Sequence, residues 1–194
     1  MDAVSTAASQ CCEMQSEGVV VSWTAADGTA VTIRPIEPSD LALEQAFVNG
    51  LSRQTGYQRL LSSRHLSSEE VRRFTDIDVD REYALIATTR RGGPERQIGV
   101  ARYVKQPDSD MAEFAIVLSD DWQGRGLGHV LLSNLVAEAK RRGVRRLFGT
   151  TLSTNKAMLT LAQRLGFITV LESQSAKITD LTLDLAPSER PPHS

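Results

Sequence analysis

Six consecutive residues, Gln123-Gly124-Arg125-Gly126-Leu127-Gly128, carry the most readable chemistry in this chain. They lie between an apolar run, Met111 to Leu118, and a long amphipathic stretch that begins at Gly126. Glycine lets a backbone approach a ligand closely, and the first turn of a helix presents free N–H groups at its positive end. A strand, such a loop and a helix in succession form a seat for an anion such as a pyrophosphate. The same run also reads as a tight strand-to-helix turn that needs glycine only for its shape. Two phosphate fingerprints fail. Gly124, Gly126 and Gly128 lack the spacing of G-x-G-x-x-G, and Leu127-Gly128-His129 stands where a nucleotide-hydrolase loop needs Lys-Ser/Thr.

Glu113 is the polar exception in the apolar run. Period-two alternation sets Glu113, Ala115 and Val117 on one face of a strand. Burial would raise the Glu113 pKa and suit it to general-base work, directly or through water. A buried Glu paired with an Arg for structure is the other reading. Asn155 is expected to cap a helix. Arg125 has two readings, a contact to a phosphate oxygen or a solvated loop side chain. His129 is expected to face solvent, with its backbone N–H available to a phosphate.

Several function classes are excluded by composition. Twenty-two Lys+Arg against 24 Asp+Glu give a net charge of −2 over 194 residues, without the basic excess of a dedicated nucleic-acid binder. The cationic run Lys140, Arg141, Arg142, Arg145 and Arg146 is expected at a helix end, where the dipole favours it. Cys11 and Cys12 are neighbours, and the histidines at 65, 129 and 193 are scattered, so no metal site is expected. No signal peptide or membrane span is read, and a cytoplasmic protein is expected. Residues 1–18 are expected to be a disordered lead and 186–194, with three of the seven prolines, a disordered tail. Residues 19–185 form the one folded domain.

Hydrophobic periodicity sets out the strands and helices around these residues. Gly18 to Thr24 and Ala30 to Ile36 read as a strand pair around Asp27-Gly28. Leu43, Phe47 and Leu51 mark a helix capped by Ser39 or Asp40, and Ser67 to Glu70 is a capping box for a short second helix. Strands are expected over Tyr83–Thr89, Gln97–Val104 and Met111–Leu118, the last central and buried on both faces. A helix from Gly126 to Arg142 carries the stripe Leu127, Leu131, Leu135 and Ala139. Arg146–Leu152 is a strand, and a helix opening at Asn155 turns Met158, Leu161, Ala162 and Leu165 inward. Strands Phe167–Leu171 and Thr179–Leu185 complete an α+β fold with a mixed sheet.

Gln123-x-x-Gly126-x-Gly128 resembles the acyl-CoA pyrophosphate loop Q/R-x-x-G-x-G/A of the GNAT superfamily of N-acetyltransferases. The whole stretch AEFAIVLSDDWQGRGLGHVLLSNLVAEAKRRG is similar to that family's strand, loop and helix. Asn155 to Met158 with Leu165-Gly166-Phe167, and Val31 to Ile36, extend the resemblance to about Gly28–Leu185. IRPIEPSD and LSSEEVRRFTDIDVDREYALIA further resemble bacterial protein lysine acetyltransferases that act on acyl-CoA synthetases. The resemblance implies a mostly antiparallel central sheet flanked by helices and splayed at the acyl-CoA site. It implies acetyl-CoA as co-substrate and a protein lysine as acceptor; composition adds the expectation of no metal, nucleic acid or membrane partner. Implied acyl-CoA contacts are Ile116, Val117, Leu118, the loop Gln123, Gly124, Arg125, Gly126, Leu127 and Gly128, then His129 and Asn155. A backbone N–H near Val117 would face the thioester oxygen.

Within this resemblance Glu113 stands where the subgroup has its general base. Ala162 stands where many relatives place a Tyr general acid, and Tyr57, Tyr83 and Tyr103 are the candidate substitutes. Ser52 to Leu66, with Arg53, Arg59, Arg64 and His65, lies where the family has its acceptor-side loop. Some relatives carry an added cyclic-nucleotide-binding or synthetase domain, for which this chain leaves no room. Two other functions stay open: a small-molecule amine acetyltransferase, and a CoA-binding sensor without catalysis.

Overall fold

In the computed structural model, residues 20–52, 54–55, 67–171 and 177–185 are described. The expected lead and tail, Cys11-Cys12, Tyr57 and the basic residues Arg53, Arg59, Arg64 and His65 lie outside them. The elements run β1 (Val21–Thr24), β2 (Ala30–Pro35), α1 (Leu41–Gly50), α2 (Ser68–Arg73), β3 (Glu82–Thr89), β4 (Arg96–Lys105) and β5 (Met111–Leu118). They continue with α3 (Leu127–Arg141), β6 (Arg146–Leu152), α4 (Lys156–Arg164), β7 (Ile168–Leu171) and β8 (Ile178–Asp184). Short 3-10 turns precede α1 and α3. No helix among the described residues is long and apolar enough to cross a membrane.

One mixed sheet holds all eight strands in the order β1-β2-β3-β4-β5-β6-β8-β7. Every neighbouring pair is antiparallel except β5 and β6, which run parallel because α3 crosses between them. Strand alternation sends Ala84, Ile86, Val100 and Val117 to one face, where Ile36 and Phe47 of the α1 region cover them. Leu85, Ala87, Ala101 and Tyr103 point the other way, into a larger core with α3 and α4. The stripe of α3 is as expected: Leu127, Leu131, Leu135 and Ala139 are completely buried, and Leu132 is buried with them. Burial of such side chains is worth about 1.5–3 kcal/mol each.

Polar contacts fix where the helices begin. Arg34 at the end of β2 grips both carboxylate oxygens of Asp40 at 2.7 Å, which turns the chain into α1. Ser67 and Glu70 exchange hydrogen bonds of 2.9 and 3.2 Å at the start of α2, the expected capping box. At the end of α3 the buried Glu138 accepts from Arg141 and Arg142, and Arg142 lies 4.3 Å over the ring of Tyr83. Arg145 and Arg146 pair with Asp110 and Asp184. The cationic run is thus largely matched by carboxylates.

Two irregularities interrupt the regular strand pairing around β5. Ala87 faces Gly99 but Thr88 faces Gln97, so Ile98 is an extra residue in β4, a bulge. Its carbonyl accepts from Ser119 N–H at 2.9 Å, just where β5 ends. The second is the short β5–β6 ladder. It comprises Met111↔Arg146, Ala112↔Leu147 and Glu113↔Phe148, and then stops. At that point Gly149 faces Phe114, whose ring packs 4.8 Å from Phe167. A Cβ on Gly149 would sit 3.0 Å from the Phe114 carbonyl oxygen and 3.1 Å from its ring. We therefore expect Gly149→Ala to cost about 1–3 kcal/mol through overpacking. A thermal melt should drop by roughly 2–4 °C per kcal/mol, and an unchanged or raised Tm would refute this close approach.

Candidate active site

Beyond Glu113 the two parallel strands diverge, and a cavity of about 660 Å³ opens between them. Its walls are β5 from Glu113 to Leu118, the loop after it, the start of α3, Thr150 and Thr151 of β6, and one face of α4. Ten of the residues singled out from the sequence meet here: Glu113, Ile116, Val117, Leu118, Gln123, Gly124, Gly126, Gly128, His129 and Asn155.

The loop adopts the geometry that its glycines permit. Gly124 and Gly126 have φ of +73° and +91°, and Gly126 is the N-cap of α3. The backbone N–H groups of Gly124, Arg125, Gly126, Leu127 and Gly128 have no acceptor among the described residues. Donors left over at a helix N-terminus beside a cavity suit a diphosphate. Gly128 lies between Leu118 and Leu161, each 3.4 Å from where a Cβ would be. Leu127 contributes only its backbone here, because its side chain is fully buried in the core. His129 is exposed, as expected, and borders the cavity, while its N–H donates to the Gly126 carbonyl at 3.1 Å, closing the first turn.

Arg125 does not line the cavity. It reaches back to Asp27 at 3.1 Å and lies 5.3 Å over the ring of Trp122. Asp27, in the β1–β2 turn, also accepts from Thr29 and Arg91, and these bonds hold its carboxyl well below the usual range. On the other side, Gln123 Nε2 donates to the Leu118 carbonyl at 3.3 Å and to Thr55 Oγ1 at 3.2 Å. Thr55 Oγ1 donates to Asp120 Oδ1 at 2.8 Å, and Ser52 adds its N–H at 3.1 Å and its hydroxyl at 2.8 Å. Burial pushes the Asp120 carboxyl up, but the bonds from Thr55 and Ser52 outweigh it, and the net shift is downward. Asn155 caps α4 as expected, accepting from Met158 N–H at 3.1 Å, while its amide donates to Thr151 at 3.3 Å.

Glu113 lies on the cavity wall, but the expected burial is absent. Glu113 and Ala115 are solvent-exposed, because the α1 layer covers their face of the sheet only as far as Val117. The strand is central yet buried on both faces only in part. Tyr83 and Tyr103 are ruled out as substitutes at the cavity: both are buried under α3, and burial pushes the Tyr103 phenol up to about 12. Ala162 is also buried in the core and not on the cavity wall. Sequence reasoning missed Thr55, Thr150 and Thr151, and also Lys156, Thr160 and Arg164. The last three are spaced four and four apart, the signal of one helix face, and they bring two cations to the wall. No group of three or more metal-ligating side chains occurs among the described residues.

Comparison with known proteins agrees with this geometry. A model of the acetyltransferase (GNAT) domain matches residues 30–168. "Acetyltransferase PA5475" of Pseudomonas aeruginosa is 34% identical over 143 residues, which are 73% of this chain and 77% of that protein. "Acetyltransferase Pat" of Mycolicibacterium smegmatis is 30% identical over 164 residues, 82% of this chain but 47% of Pat, so the chain spans about half of that relative. The crystal structure of the GNAT domain of S. lividans PAT is similar at a TM-score of 0.74 and 28% identity, covering 85% of this chain and 96% of that one.

The loop geometry generates a direct test. Val at position 126 would be held at a φ that L side chains rarely adopt, a strain of about 1–3 kcal/mol that the loop relieves by moving. Calorimetric titration of Gly126→Val with coenzyme A should show at least a hundredfold weaker binding than the parent chain. Equal affinity would mean that the glycines serve only the turn.

Proposed function

The chain belongs to the GNAT acetyltransferase family and is an acyltransferase, and from that premise we propose that it acetylates a lysine side chain on a protein. Acetyl-CoA, the donor that GNAT acetyltransferases use, is the co-substrate. The single observation that carries this reading is the arrangement around the split strands. Backbone N–H groups with no acceptor among the described residues border the cavity at the loop, and an exposed carboxylate, Glu113, borders it on β5. The first suits the diphosphate of coenzyme A, and the second suits an amine that must lose a proton.

In this reading the loop from Gln123 to Gly128 holds the diphosphate, and Lys156 and Arg164 add positive charge beside it. The β5 backbone from Ile116 to Leu118 has no β6 partner and pairs with the pantetheine arm. An N–H near Val117 stabilises the oxyanion. A lysine is almost wholly protonated at neutral pH. Glu113 takes one proton from the ammonium, and the free amine attacks the thioester carbonyl carbon. The C–N bond forms and the C–S bond breaks. The nitrogen releases a second proton, and the departing thiolate takes one from water, so one proton is released per turnover. No tyrosine among the described residues is placed to serve as the acid.

A protein acceptor, rather than a small amine, is favoured by the open setting of Glu113. A lysine carried on a partner's surface reaches an exposed carboxylate without entering a closed pocket. The similarity to bacterial enzymes that act on acyl-CoA synthetases makes such a synthetase the first acceptor to try.

Calorimetry with acetyl-CoA, followed by thiol release on adding a purified acyl-CoA synthetase, tests the reading. Binding with release is the expected result, and binding without release would point to another acceptor. Glu113→Gln should keep the acetyl-CoA Kd within about twofold and lower kcat at least tenfold, since general-base help is worth about 10²–10⁴. Unchanged turnover would remove Glu113 from the mechanism.

A further inference from the structure

Gln123 has two partners with different consequences. Its amide nitrogen meets the Leu118 carbonyl, which belongs to β5, and the Thr55 hydroxyl, which lies 68 residues earlier in the chain. Thr55 is buried, borders the cavity and follows α1, the helix that covers the Val117 face of the sheet. A hydroxyl has one proton to donate and two lone pairs to accept with. The Asp120 carboxylate, 2.8 Å away, takes the Thr55 proton, so toward Gln123 the same oxygen is the acceptor. The direction of the relay is therefore fixed: Gln123 amide to Thr55 hydroxyl to Asp120 carboxylate. Asp120 also accepts from the Ser52 N–H and hydroxyl, and Thr55 N–H donates to Ser52 Oγ at 3.2 Å.

We infer that Thr55 is a positioning residue that couples occupancy of the glycine-rich loop to the order of the backbone at Ser52 and at Thr55. The inference rests on the reading that acetyl-CoA binds at this loop. An empty loop leaves its N–H groups to water, and its glycines permit alternative backbone geometries. A diphosphate bridging those N–H groups holds the loop in one geometry, and the Gln123 amide with it. Its hydrogen bond to Thr55, formed here already, then opens less often, and so do the bonds that Thr55 and Ser52 make to Asp120. Ordering at Ser52 and Thr55 thus follows donor binding. A loop anchored only by its own helix would bind the donor without any effect at Ser52.

Amide hydrogen exchange on the full chain, with and without saturating acetyl-CoA, reads the coupling through the Ser52 and Thr55 amides. In the parent chain acetyl-CoA should slow exchange there at least threefold. Thr55→Val removes the hydroxyl at nearly constant volume; it should still bind acetyl-CoA, with the slowing lost, and Thr55→Ser should restore it. Asp120→Ala, an exposed site, should lose the slowing too and serves if the valine variant does not fold. Because each variant is compared with itself, altered stability alone does not mimic the result. Slowing that persists in Thr55→Val, or acetyl-CoA binding to the parent chain with no change at Ser52 and Thr55, would overturn the coupling. Absence of acetyl-CoA binding to the parent chain would instead overturn the functional reading beneath it.

Discussion

The end of the β5–β6 ladder after three residue pairs is the constraint on which the molecule is organised. Each of the two strands is secured on its outer side. Seven residues of β5 pair with β4, and seven of β6 pair with β8. With both held from outside, nothing draws them together past Glu113, and the Phe114 ring over Gly149 holds them at the point where they part. Unpaired backbone groups inside a sheet are costly unless something else meets them. Here they border a cavity that also receives the N-terminus of α3, so the missing ladder and the free helix donors face the same space.

Strand alternation then separates two kinds of work. The side chains of β5 that join the α3 core, such as Phe114 and Leu118, shape the wall next to the loop and α4. Those on the opposite face, Glu113 and Ala115, open to solvent where the α1 layer ends. One strand thereby serves a deep, donor-lined side and an open, acidic side at once, with only a change of face between successive residues. The polar bonds of Gln123, Thr55 and Asp120 cross between the layers that those two faces define.

The amino-acid pattern made most of this legible. Strand limits for β5 and β6 agree residue for residue, and the helix stripe Leu127, Leu131, Leu135, Ala139 is buried throughout, because long regular patterns dominate their own structure. The loop was legible because glycine at positive φ and a helix start leave a local signature. Burial of Glu113 was not: whether a strand face is covered depends on how far a distant helix reaches, and α1 is some 70 residues earlier. The first-turn bond that occupies the His129 N–H is likewise a detail of helix geometry that no side chain announces. Thr55 lay beyond reach for a third reason, since only the fold brings residue 55 beside residue 123. Asp27 beside Arg125 is the same case, and it turned a phosphate candidate toward an internal ion pair.

A sheet opened along one seam has a thermodynamic corollary. The seam joins β1–β5 to β6–β8 by three residue pairs, with α3 packed beside it, so the two parts have less direct strand pairing with each other than within themselves. Any molecule that fits the wedge touches both sides and stands in for the absent ladder. Its binding energy then counts toward the cohesion of the whole sheet, about 2.7 kcal/mol at a hundredfold excess over Kd. For a chain of ordinary marginal stability that is a sizeable share, and the population of open forms in a cell would follow the supply of the molecule that fills the seam.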